Sequence, residues 1–156
     1  MRKIKVAQVI TRLDWGGSPD ILRILCTRLN PDIYDVTLIF GLTEHLSLKT
    51  QQFLKTFKGT CIGIHELRRD IHLFYDSIAL AKLVTLFHRE KFDIVHTHTA
   101  KAGALGRLAA FLSGVKVIIH TPHGHNFYGY FSKCMGKIII IIEKFLACIT
   151  DRIIVL

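Results

Sequence analysis

Short apolar runs alternate with amphipathic segments along the whole chain. Ile4 to Ile10 is an Ile/Val-rich run of strand length. Thr11 to Gly17 is a loop ending in a glycine pair. Ser18-Pro19 reads as an N-cap and a first-turn proline. Ile21, Leu22, Ile24, Leu25 and Leu29 then recur at helical spacing, and Asn30-Pro31 stops that helix. Tyr34 to Gly41 is a second strand, Leu42 to Phe57 a weakly patterned helix and Thr60 to Ile64 a third strand. A polar loop, Glu66 to Asp70, carries Arg68 and Arg69. Ser77 to Phe87 is an amphipathic helix, with Ile78, Leu80, Leu83, Val84 and Phe87 as its apolar set. Phe92 to Thr97 is a strand, Ala102 to Leu112 a small-residue helix closed by Ser113-Gly114, and Val115 to Ile119 a fifth strand. Pro122 to Tyr130 is a loop rich in His, Gly and aromatic residues. Lys137 to Ile149 holds five consecutive isoleucines, which favour a strand by propensity. A parallel sheet needs a crossover at this point, so a helix is expected instead. Asp151 to Leu156 is a sixth strand.

This alternation predicts an α/β fold: a doubly wound, mostly parallel, Rossmann-like sheet with helices on both faces. Its strands are continuously apolar, as strands covered on both faces are. With 156 residues, the chain fits a single domain, residues 1–156. It stops at Ile153, Ile154, Val155 and Leu156, inside an apolar run, so more protein is expected beyond residue 156.

Composition adds a charge bias. Lys and Arg number 21 against 12 Asp and Glu, a net +9, which favours anionic partners without choosing among them. The basic residues are scattered rather than interleaved with aromatics on one surface, so nucleic acid is not expected as a partner. Cys26, Cys61, Cys134 and Cys148 form no C-x-x-C pair, and three lie in apolar segments, where a free thiol packs as a small hydrophobe. A reducing, cytoplasmic compartment follows. The first apolar run is short and interrupted by Lys5 and Gln8, unlike a secretory leader. No run reaches the ~20 residues of a spanning helix. Lys133, Lys137 and Lys144 flank the isoleucine run, so this segment is either a core crossover or a surface that docks on anionic lipid.

In open α/β sheets, ligands bind beyond the carboxyl ends of the strands. Three unusual segments fall there. Gly16 and Gly17 can let a backbone approach an anion at a helix N-terminus, although a glycine pair also makes a bare turn and no dinucleotide fingerprint is present. In His96-Thr97-His98-Thr99-Ala100-Lys101, the two histidines share a strand face. Lys101 lies near a helix start, where a cation is disfavoured unless an anion offsets it. His120, His123 and His125 follow, so five of the nine histidines lie between residues 96 and 125. They can hydrogen-bond a phosphate or a hydroxyl near neutrality, or serve as structural histidines. A zinc site is the competing reading, yet no cysteine or carboxylate accompanies these loops. Hydrolytic triads, a Walker loop and a carboxylate pair are missing from these segments.

Val9-Ile10-Thr11-Arg12-Leu13-Asp14-Trp15-Gly16-Gly17, the His96–Gly103 and His120–Tyr130 segments, and Thr150-Asp151-Arg152-Ile153-Ile154-Val155 together resemble family-4 glycosyltransferases of the GT-B fold. The likeness is to bacterial enzymes that build exopolysaccharide, capsule or lipopolysaccharide, and it runs along essentially the whole chain. It implies the N-terminal, acceptor-side half of a two-domain enzyme whose C-terminal, donor-binding domain is absent here. It also implies sugar transfer with retention from a nucleoside-diphosphate sugar to a lipid-linked or polysaccharide acceptor, with no metal and no cofactor beyond the donor substrate.

By the same resemblance, Gly16 and Gly17 approach the donor diphosphate and His123 contacts the donor sugar near the reacting carbon, as the catalytic-site residue. His98 and Lys101 line the acceptor side, and His125, Asn126 and Tyr128 line the cleft. Two alternatives stay open: a binding-only subunit of a split glycosyltransferase, and a fragment of a GT-B-type nucleotide-sugar epimerase.

Overall fold

The computed structural model describes residues 2–14, 16–43, 46–124 and 133–155. It is a six-stranded, all-parallel sheet in the order β3-β2-β1-β4-β5-β6. The strands are β1 (Ile4–Ile10), β2 (Tyr34–Gly41), β3 (Thr60–Ile64), β4 (Ile94–His98), β5 (Val117–Thr121) and β6 (Arg152–Ile153). Helices α1 (Gly17–Arg28), α2 (Leu48–Thr56), α3 (Leu73–Glu90), α4 (Ala100–Leu112) and α5 (Lys133–Cys148) connect them in turn.

The strand pleat divides the core in two. Ile10, Leu38 and Phe40 face one side, where they pack with Leu22 and Cys26 of α1 and with Phe53 and Leu54 of α2. Val9, Ile39 and Val95 face the other, against Leu83 and Phe87 of α3 and Ala102 and Ala109 of α4. Neighbours such as Val9 and Ile10 therefore serve opposite layers. This is the expected doubly wound sheet, and the isoleucine run lies in helix, as the crossover argument requires.

Element boundaries differ from the sequence reading where capping overrides apolarity. Gly16, not Ser18, caps α1, and it does so without a side-chain bond. The apolar set places the start of α3 at Ser77, yet the helix starts at Leu73, because the Asp76 carboxylate accepts the His72 N–H at 3.0 Å. Strand β5 starts two residues late. Gly114, at φ 67°, ends α4 in a Schellman turn whose Gly114 and Val115 N–H groups bond back to the carbonyls of Phe111 and Ala110. Helix α2 forms only from Leu48, where the Ser47 hydroxyl accepts the Thr50 N–H. Strand β6 pairs over two residues rather than six. Burial of the cysteines is narrower than expected: Cys26 is buried, while Cys61 and Cys148 are exposed free thiols.

Helix α5 docks through few groups. Leu146 is buried, whereas Ile138, Ile140, Ile141, Ile142 and Phe145 are exposed. Its polar anchor is Glu143, which accepts two hydrogen bonds, at 2.9 and 2.8 Å, from Nη2 of the fully buried Arg107 on α4. A buried guanidinium deprived of its carboxylate carries a large desolvation cost. Glu143→Ala should therefore lower unfolding free energy by about 3 kcal/mol in urea denaturation. The double variant Arg107→Met/Glu143→Leu should lose clearly less; an equal or larger loss in the double variant would contradict this account.

Candidate functional site

Strand order reverses beside β1. Its chain leaves toward β2 on one side, while β4 lies on the other. Such a switch point leaves a crevice between diverging loops at the carboxyl edge. Four residues with positive φ sit on this edge: Gly16 after β1 (φ 144°), Thr99 after β4 (φ 66°), and His123 (φ 58°) and Gly124 (φ 132°) after β5. A β-branched residue at positive φ is strained, and such strain concentrates at functional sites.

Two helix N-termini open onto the crevice. Gly16 and Gly17 are exposed at the start of α1. The conformation of Gly16 suits glycine alone, while a Cβ on Gly17 would meet nothing within 4 Å. Thr99 caps α4 without a side-chain bond, and no acid lies in its first turn. Both ends present free N–H groups and the positive pole of a helix, the setting in which phosphate binds.

The glycine loop is held from below by groups that the sequence reading passed over. Arg23, buried in α1, donates to the Leu13 carbonyl at 2.5 Å, to the Thr50 hydroxyl at 2.9 Å and to Asp20 at 2.6 Å. The Thr50 hydroxyl donates to the same Leu13 carbonyl at 2.9 Å. Two donors on one carbonyl fix the strand end from which the loop departs. Only an Arg three residues after an Asp in an apolar helix hinted at this clamp.

The histidines divide between the two faces of the sheet. His96 and His98 share a face, as their spacing predicts, with ring centroids 4.1 Å apart. Across β1, in register with His96, stands Gln8. Its side-chain oxygen lies 2.8 Å from His98 Nε2, and His98 Nδ1 lies 2.8 Å from His123 Nε2. His96 Nε2 bonds the Thr121 hydroxyl at 2.9 Å. His120 points the other way, toward α4, with Nδ1 3.2 Å from the Thr97 carbonyl. Its ring lies so close to Gly103 that a Cβ there would come within 2.3 Å of it.

Burial holds these rings neutral. His96 is pushed down to about 4, His98 to about 2 and His120 to about 3, each mainly by loss of water around the charged form. The cationic forms of neighbouring histidines, and Arg107 beside His120, push the same way. His123, partly exposed, is lowered by burial as well.

Of the residues singled out in the sequence, Gly16, Gly17 and His123 are thus at the crevice. His98 is fully buried and lies behind His123. Lys101 has its offsetting anion within the protein: the Asp76 carboxylate lies 2.5 Å from its ammonium, which also donates to the Asp70 carbonyl. His125, Asn126 and Tyr128 lie outside the described residues. No group of three or more metal-ligating side chains occurs among the described residues.

Comparison with known proteins follows the same lines. The model of Glycosyltransferase Family 4 matches residues 15–156. The chain is 43% identical, over 158 residues, to an Escherichia coli UDP-Gal:α-D-GlcNAc-diphosphoundecaprenol α-1,3-galactosyltransferase, covering 99% of this chain and 38% of the relative. It is 36% identical over 80 residues to the Staphylococcus aureus capsular polysaccharide biosynthesis glycosyltransferase CapM, covering 51% of this chain and 21% of the relative. In fold it is similar to a Rickettsia bellii UDP-N-acetylglucosamine 2-epimerase, with TM-score 0.65, 17% identity, and coverage of 99% of this chain and 39% of that one.

The histidine cluster makes stability depend on pH. Each folded value lies below the ordinary 6.5, so the unfolded chain binds the extra protons. Stability is complete above pH 6.5 or so and falls as pH drops toward about 4, by about 1.4 kcal/mol per pH unit for each such group. The urea midpoint should be clearly lower at pH 5.5 than at pH 7.5, with more than one proton taken up on unfolding. An unchanged midpoint would mean that the rings protonate freely in the folded chain.

Proposed function

The chain belongs to glycosyltransferase family 4, and on that premise we propose that it forms the acceptor-side N-terminal half of a retaining GT-B enzyme. The full enzyme would move a sugar from a nucleoside-diphosphate sugar to a lipid-linked or polysaccharide acceptor. The observation that carries this reading is the convergence at the switch point of two uncapped helix N-termini and a neutral histidine. Phosphate oxygens gain charge as the nucleoside diphosphate departs, and preorganised amides at Gly16, Gly17 and the start of α4 suit that charge. His123 would position the sugar. The acceptor of the E. coli relative is a diphosphoundecaprenol-linked sugar, which supports a lipid-linked acceptor here. The likeness to epimerases is one of fold and supports no epimerase activity.

This chain spans 38% of the length of its E. coli relative. In our reading the rest of the donor site, and the closure that excludes water, belong to a second half. Residues 1–156 alone should then show no sugar transfer. Joined to the part of the E. coli relative beyond its match, they should be active, and His123→Ala should cut kcat about a hundredfold, or ~2.7 kcal/mol in barrier. His88→Ala, on the opposite edge at the exposed end of α3, should leave it unchanged. Turnover by residues 1–156 alone, or equal effects of the two substitutions, would refute the assignment.

Access to such an acceptor implies work at the cytoplasmic face of a membrane. No helix among the described residues is long and apolar enough to cross one. We place the contact on α5, where exposed Ile141 and Phe145 lie near Lys137 and Lys144. Each lysine near an anionic surface adds about 1 kcal/mol, screened by salt, and buried isoleucine area adds affinity that salt does not remove. Flotation with anionic vesicles should recover part of the chain at low salt and less at high salt, with little on neutral vesicles. Absence from anionic vesicles at low salt would exclude α5 as a lipid contact.

A further inference from the structure

Gln8 has no part in the reading above, yet it begins a continuous chain of hydrogen bonds that ends at the crevice. It lies on β1, is buried, and has a carboxamide that needs a partner. Its Oε1 is 2.8 Å from His98 Nε2, and an amide oxygen can only accept, so His98 carries its proton on Nε2. A neutral imidazole has one donor and one acceptor nitrogen. His98 Nδ1 is therefore an acceptor. Its partner at 2.8 Å, His123 Nε2, must supply the proton. The order is thereby fixed along three side chains: His123 donates to His98, which donates to Gln8.

We infer that Gln8 is a positioning residue that, through His98, fixes the tautomer of His123 and leaves His123 Nδ1 as a bare acceptor. Among the described residues Nδ1 of His123 has no partner. A bare acceptor nitrogen accepts a hydrogen bond from a hydroxyl and disfavours a phosphate oxygen, which at neutral pH has lone pairs but little proton to give. The inference rests on the glycosyltransferase reading and refines it. The amides at the starts of α1 and α4 are left to the phosphates, while His123 reads a sugar hydroxyl. A protonated His123 would donate from both nitrogens and lose that distinction.

The burial of His98 supports the chain. With its ring fully enclosed and kept neutral, it cannot escape its two partners by becoming a cation. Its rotation is limited too, since the ring of His96 packs against it at 4.1 Å.

The test is the nitrogen-15 spectrum of the histidine side chains of this 156-residue chain at pH 7.5, where each ring nitrogen reports whether it carries a proton. In the unsubstituted protein, Nε2 should be donor-type and Nδ1 acceptor-type in both His98 and His123. Gln8→Glu, whose side chain still offers an oxygen acceptor to His98 Nε2, should keep both tautomers. Gln8→Leu, with no acceptor, should turn both into mixtures while the backbone amide spectrum stays folded. Inorganic phosphate added to the unsubstituted chain should leave His123 Nδ1 acceptor-type. A donor-type Nδ1 in His98, unchanged tautomers in Gln8→Leu, or conversion of His123 Nδ1 by phosphate would each overturn the inference. None of these readouts needs turnover, so this result stands apart from the chimera, which tests sugar transfer itself.

Discussion

Reversal of the strand order at β1 is the constraint from which the site descends. Right-handed crossovers place α1 and α2 on one face of the parallel sheet and α3 and α4 on the other. The loops after β1 and β4 must therefore diverge, and the space between them has no crossover of its own. The strained Thr99, the glycine cap of α1, the positive-φ His123 and the buried rings behind it all gather there. A parallel sheet also sends every connecting helix back with its N-terminus at this edge. The positive poles of α1 and α4 are thus a consequence of topology, available to an anion without any charged side chain.

Filling the crevice floor with histidines works against the fold. Buried rings cost less than buried cations, and they stay neutral because each finds hydrogen-bond partners within the sheet. Gln8, Thr97 and Thr121 supply those partners, from positions where an ordinary central strand would carry Val or Ile. Polar groups buried at one end of an otherwise apolar sheet are what a ligand site requires of its scaffold.

Much of the fold was legible because a sheet wound on both faces gives continuous apolar strands separated by amphipathic helices. All six strands and five helices were foreseen in order. Their ends were less legible, since a Schellman turn at Gly114 or a carboxylate cap from Asp76 competes with apolarity only locally. The glycine loop and the two histidine segments stood out by residue type. Gln8, Arg23 and Thr50 did not: each is unremarkable in its own element, and its meaning comes from a partner distant in sequence. The partners of Lys101 were invisible for the same reason: the spacing asked for an anion, and only the packing of α3 beside α4 supplied Asp76.

The contact of Gly103 with His120 has an evolutionary consequence. One missing methyl group in α4 makes room for an imidazole from β5. Neither position can vary alone without a collision or a void, so the two are epistatic. A lineage that enlarged residue 103 would first have to shrink residue 120, giving up the bond to Thr97 that joins β5 to β4 at the crevice floor. Drift at this pair is thus channelled through a less stable intermediate, and remodelling of the crevice is easier in the loops above it than in its floor.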